Sequence, residues 1–132
     1  MPSLTDVLIV ATGGAIGAIA RWLLSDYVQK HTGPFFPWGT LTVNVLGSLL
    51  LGFVATAALH GFFSREQRLL LATGFAGAFT TFSTFSYETY MLLAEYSSLY
   101  ALANIALNLV LGLLAVYAGH VAALEAVKKL AP

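Results

Sequence analysis

The sequence predicts an all-α membrane protein with four transmembrane helices per subunit, the third broken near its centre. Three observations carry that prediction. Hydrophobic residues fill 58% of the 132 positions and charged residues only 9%, far below the roughly 25% charge of soluble domains, and the mean hydropathy is +0.82. The few charges divide the chain into four long apolar runs, each sufficient for a bilayer crossing at 1.5 Å rise per residue. One of those runs holds a stretch unlike an ordinary lipid-facing span. From Gly74 to Ser86 it combines two glycines, four phenylalanines and five hydroxyl side chains without a charge or a leucine.

The four spans are expected at about residues 4–28, 37–60, 67–94 and 98–126, in one domain covering 1–132. The first carries Arg21 as its only charge between Asp6 and Asp26. With no positive segment ahead of it, it is expected to remain in the protein rather than serve as a cleaved leader. Lys30-His31-Thr32-Gly33-Pro34 is polar and rich in helix breakers, as a loop requires. Pro37 suits the first turn of the second helix. Ser64 and Gln67 have the spacing of a capping box opening the third element. Glu95-Tyr96-Ser97-Ser98 makes a short turn before the fourth. Trp22, Tyr27, Trp38, Tyr96 and Tyr100 fall near span ends, where amphipathic rings favour the headgroup layer.

Several function classes are excluded or disfavoured. Net charge is zero, so no basic field exists to attract nucleic acid. Without cysteine there is no disulfide framework, thiolate metal site or thiol nucleophile. His60 and His120 lie near span ends and lack the additional ligands of a metal site. No nucleophile–base pair or paired carboxylates suggests an enzyme. Four short helices leave little room for a protected pathway within one subunit, which favours an oligomer.

The polar residues inside the spans are the candidates for function. Gly13, Gly17 and Arg21 share one helical stripe. The glycines suit close helix packing. Arg21 fits either snorkelling to the interface or a fixed positive charge at the mouth of an anion pathway. Thr40, Asn44, Gly47 and Ser48 share a face of the second span. Asn44 offers two N–H donors, for an interhelical bond or for a pathway. In the third span, Phe82 and Phe85 lie one turn apart among hydroxyls, and their positive ring edges can approach a small anion. Gly74 and Gly77 weaken the helix ahead of them, and carbonyls exposed at a break can hold a cation. Glu88 is compatible with proton relay, gating or interface anchoring. Asn104, Asn108 and Gly112 recur at every fourth position of the fourth span, which fits either a polar side turned inward or plain helix packing.

Three segments, Gly13–Trp22, Gly39–Asn44 and Gly74–Glu88, are similar to the signatures of the Fluc/CrcB family of fluoride channels, and the resemblance covers essentially the whole chain. It implies a passive, fluoride-selective channel built as an antiparallel, dual-topology homodimer with two pores in the cell (inner) membrane. It assigns Phe82 and Phe85 to the rings that contact fluoride and Asn44 to the pore asparagine. Ser83, Thr84 and Glu88 fall on the polar track, and Arg21 on the vestibule arginine. Backbone carbonyls of Gly77 and Thr80 are implied as ligands of a structural sodium ion at the dimer interface. The implied role is to release cytoplasmic fluoride and so protect the cell.

Two departures stand out. Arg65, Arg68, Lys128 and Lys129 lie on one side against Lys30 and Arg21 on the other, more bias than strict dual topology predicts. Gly112 stands where some relatives carry serine. A proton-coupled small multidrug-type exporter is the alternative reading, but it expects a carboxylate inside the first helix, where this chain has Arg21.

Overall fold

The computed structural model describes residues 1–131. Among them there is no strand: the chain forms α1 (Leu4–Thr32), α2 (Trp38–Leu59), α3 (Arg65–Arg68), a π-helical segment (Leu69–Ala76), α4 (Gly77–Phe79), α5 (Phe82–Glu95) and α6 (Ser98–Leu130). Four stretches are long and apolar enough to cross a bilayer: α1, α2, the composite element Arg65–Glu95, and α6. The 33 residues of α6 extend about 50 Å, so its ends reach beyond a hydrocarbon core of about 30 Å.

Local chemistry accounts for the helix ends. Ser3 accepts a bond from the Asp6 N–H while the Asp6 carboxylate accepts one from the Ser3 N–H. Ser64 and Gln67 form the same reciprocal box at the start of α3, as their spacing predicts. Between α1 and α2, Gln29 holds the loop together. Its Nε2 donates to the Gly33 and Phe36 carbonyls, and its Oε1 accepts from the Gly39 N–H at 3.1 Å. The N-terminus of α2 therefore begins on a side chain of α1 rather than on a cap of its own. Pro37 occupies the N-cap position there.

Packing depends on backbone approach more than on large side chains. The buried core is small, with Val43, Val54 and Asn104 as its largest fully enclosed side chains. Leu8, Ile16, Ile19, Leu23 and Leu113 are exposed on the outside of the bundle, as lipid-facing residues should be. α2 and α6 form the most extensive helix pair. They meet where Gly52 faces the Val116 carbonyl and Gly119 faces the Leu49 carbonyl, so that a Cβ at either position would collide with backbone. α1 meets the π-helical segment in the same way, with Gly13 against Leu70 and Gly74, and Gly17 against Phe75. The Gly13/Gly17 stripe thus packs within the subunit, the small-residue contact typical of membrane helices.

One long-range tie escapes sequence reading. Arg65 donates to both Asp6 oxygens, at 2.6 and 2.9 Å, and binds the start of α1 to the start of α3. A bidentate guanidinium–carboxylate pair has a fixed planar geometry, so it sets direction as well as proximity.

Gly52→Val should lower the melting temperature of the detergent-solubilised protein sharply, since overpacking costs about 1–3 kcal/mol even where side chains can yield, and here backbone cannot. Gly112→Ala serves as the control: its Cβ would sit at ordinary contact with Ser48 Oγ, and thermal unfolding should change little.

Candidate functional site

The site is built around an interruption of the third membrane element. The π-helical segment already loosens the register, with the Gly77 N–H reaching the Ala72 carbonyl five residues back. Gly77 itself remains helical, and the backbone leaves the helix at Thr80 (φ −89°, ψ 158°) and Thr81 (φ −149°, ψ 115°). Both residues adopt ordinary extended dihedrals, so the interruption costs hydrogen bonds rather than torsional strain. Within a bilayer those bonds must be replaced by protein, water or an ion.

Three side chains replace them, while Thr80 Oγ1 adds a second bond, at 3.0 Å, to the Ala76 carbonyl that still accepts the Thr80 N–H. Arg21 Nε donates to the Ala78 carbonyl at 3.0 Å, placing a guanidinium at the negative end of the first half-helix, where the macrodipole favours it. Asn44 pairs with the Thr81 backbone in both directions: its Oδ1 accepts from the Thr81 N–H at 2.8 Å, and its Nδ2 donates to the Thr81 carbonyl at 3.2 Å. Thr81 Oγ1 accepts from the Thr84 N–H and so caps α5.

A cavity of ≈ 520 Å³ opens beside the interruption, and no charged residue lines it. Phe82 and Phe85 form one wall, with ring centroids 5.6 Å apart and planes inclined by 51°. Phe82 is 80% exposed in the single chain. Asn44, Gly77, Thr80 and Asn108 also line the cavity. A small ion there would meet side-chain oxygens and aromatic rings, none of which carries a full charge to trap it.

The remaining candidates lie elsewhere. Ser83 and Thr84 do not line that cavity, although both hydroxyls lie within hydrogen-bonding distance of Thr81 Oγ1. Arg21 stands at the Ala78 carbonyl. Glu88 lines a second cavity, of ≈ 360 Å³, with Gln29, Phe35 and Tyr96. Its Oε1 accepts from Thr40 Oγ1 at 2.8 Å, while its Oε2 is buried without a partner. Among the described residues no cluster of three or more His, Cys, Asp or Glu could hold a metal through side chains.

Two findings refine the expectations for the asparagines. Both Asn44 donor hydrogens have partners, the Thr81 carbonyl and Asn108 Oδ1 at 3.0 Å. The polar row continues through Asn108 and Asn104 to Thr89. Thr89, which sequence reasoning missed, donates to the Phe85 carbonyl at 2.7 Å. Its signal was weak, since a threonine donating to the carbonyl four residues back is common in any helix.

Fold and site together define a multi-pass membrane protein with an uncharged, largely apolar cavity that holds a few polar side chains beside an interrupted helix. Residues 8–120 match the sequence model of the family described as CrcB-like protein, Camphor Resistance (CrcB). The chain belongs to the CrcB family. It is 46% identical over 121 residues to the fluoride-specific ion channel FluC of Geobacter sulfurreducens, a match covering 91% of this chain and 98% of that protein. It is 47% identical over 117 residues to the protein of the same name from Shewanella sp. (strain W3-18-1), covering 89% and 94%.

Asn44→Leu keeps approximate volume but removes the partner of the Thr81 N–H, one donor to the Thr81 carbonyl and the donor to Asn108 Oδ1. Each orphaned buried group costs about 1–3 kcal/mol, so thermal unfolding should show a clear loss of stability. An unchanged melting temperature would mean that water or another side chain replaces Asn44.

Proposed function

We propose that the protein is a passive, fluoride-selective channel of the cell (inner) membrane that releases cytoplasmic fluoride and so protects the cell from it. The observation that carries this reading is that Phe82 and Phe85 share one uncharged cavity with the helix interruption, in a chain 46% identical to a protein named as a fluoride channel. A permeating anion needs partial positive charge spread along its path rather than one strong ligand. Ring edges supply it at Phe82 and Phe85, and the start of α5 at Phe82 adds the positive end of a helix dipole. Hydroxyls of Ser83 and Thr84 continue the path along α5. A negative-inside potential favours anion exit by about 2.3 kcal/mol per charge per 100 mV.

The working unit in this reading is an antiparallel homodimer with two pores. In support, Phe82 is 80% exposed on a face that a second copy could close, and no single subunit encloses the cavity. Arg21 and Glu88 lie outside the cavity of the phenylalanines, as residues at the approaches to a pore would.

A structural sodium ion at the dimer interface is part of the proposal, held by backbone carbonyls of Gly77 and Thr80. Their chemistry fits a hard cation, which prefers oxygen ligands. The Thr81 N–H, which would bond the Gly77 carbonyl in a continuous helix, instead bonds Asn44, and Gly77 and Thr80 both face the cavity. When bound, the ion would supply a fixed positive charge where the first half of the interrupted element ends and turns its carbonyls outward.

Purified protein in liposomes should pass fluoride down its gradient while excluding chloride. Robust chloride flux, or fluoride movement that strictly requires a proton or cation gradient, would overturn the reading. Phe82→Ile should slow fluoride efflux strongly while gel filtration shows the assembly intact; unchanged flux would remove that ring from the pathway. Replacing sodium by a larger cation throughout should reduce activity, and complete indifference would count against the carbonyl site.

A further inference from the structure

We infer that Asn104 is a positioning residue for ion passage, acting through Asn108 on Asn44 to hold the segment that carries Phe82 and Phe85. The inference deepens the channel reading and rests on it. Asn104 is 1% exposed and does not line the cavity, so it has no direct access to an ion there.

Its influence follows from the direction of the hydrogen bonds. Thr89 Oγ1 spends its one proton on the Phe85 carbonyl, so towards Asn104 it can only accept. Asn104 must therefore present its NH₂ to Thr89, at 2.9 Å, and its Oδ1 to Asn108. Asn108 in turn donates to Asn104 Oδ1 and to the Asn104 carbonyl, both at 3.0 Å. That leaves the Asn108 Oδ1 for the Asn44 NH₂, at 3.0 Å. Asn44 is thereby oriented with its own Oδ1 on the Thr81 N–H. Reversing any one amide would set donor against donor.

Both ends of this ladder are backbone groups of the third membrane element. One is the Thr81 N–H, immediately before Phe82, and the other is the Phe85 carbonyl. The ladder therefore grips both ends of the segment bearing the two rings, from α2 and α6. Loss of Asn104 would free Asn108 to rotate and would weaken the orientation of Asn44, moving the rings relative to the cavity. Glu88, next to Thr89 in the chain, bonds Thr40 and no member of the ladder.

The test compares fluoride efflux from liposomes for the wild type, Asn104→Leu and Asn104→Asp. Asn104→Leu removes both the donor and the acceptor, and efflux per folded channel should fall about tenfold, the effect of losing roughly one buried hydrogen-bond partner. Asn104→Asp separates positioning from packing. A protonated carboxyl can donate to Thr89 and accept from Asn108, whereas a carboxylate cannot donate. Efflux by this variant should approach the wild type in acid and fall towards the leucine variant as pH rises. The wild type and Asn104→Leu, which share Glu88, provide the pH baseline.

Wild-type efflux by Asn104→Leu would overturn the inference, as would an Asn104→Asp profile parallel to the wild type. A purely structural role would lower the melting temperature and leave efflux per folded channel unchanged. Should Asn104→Leu fail to fold, the Asn104→Asp profile decides alone. Wild-type liposomes that pass no fluoride would defeat the channel reading instead. Hydrogen exchange at the Thr81 amide would then test the ladder, with protection in the wild type lost in Asn104→Leu; equal protection would overturn it.

Discussion

The reciprocal pair between Asn44 and the Thr81 backbone is the contact on which the rest of the arrangement depends. A helix interrupted at membrane depth releases donors and acceptors that lipid cannot satisfy, and an amide side chain is the smallest group able to answer an N–H and a C=O together. Asn44 does so from the neighbouring helix. The extended residues Thr80 and Thr81 can then persist without strained dihedrals. Helix α5 starts afresh at Phe82, and both rings come to face one cavity.

The surrounding bundle is arranged to bring such polar groups together rather than to build a large apolar core. Gly52 and Gly119 let α2 approach α6 to backbone contact, which places Asn44 within reach of Asn108. Gly13 and Gly17 let α1 lie against the π-helical segment, which brings Arg21 to the Ala78 carbonyl. In lipid, where apolar burial between helices gains little, close packing and interhelical hydrogen bonds are the forces left to use. Glycine contacts and polar contacts therefore act as one system.

The two halves of the interrupted element also present opposite partial charges a few residues apart. The first half ends with outward carbonyls, one of them covered by Arg21; the second begins with the positive end of α5 at Phe82. A site of this kind can stabilise ions of either sign without a formally charged residue in the cavity. That property suits passage, because a full countercharge would bind an ion too tightly to release it.

Sequence alone determined the membrane class, the number of spans, the capping box at Ser64 and Gln67, and the polar, glycine-marked stretch from Gly74 to Glu88. These are local properties of hydropathy, spacing and cap chemistry, readable without knowing which helices touch. Membership in the family was legible through the motifs for the same reason. Only the tertiary structure decided that the backbone opens at Thr80 and Thr81 rather than at Gly77 and Thr80, because the Asn44 amide that replaces the lost bonds comes from another helix. Likewise it decided that Asp6 pairs with Arg65, that both Asn44 donors are engaged, and that Thr89 completes the row from Asn104 to Phe85. Each of those facts is a contact between residues remote in sequence or a choice among equivalent hydrogen-bond partners. Periodicity can put such residues on a face, but only packing selects what that face meets.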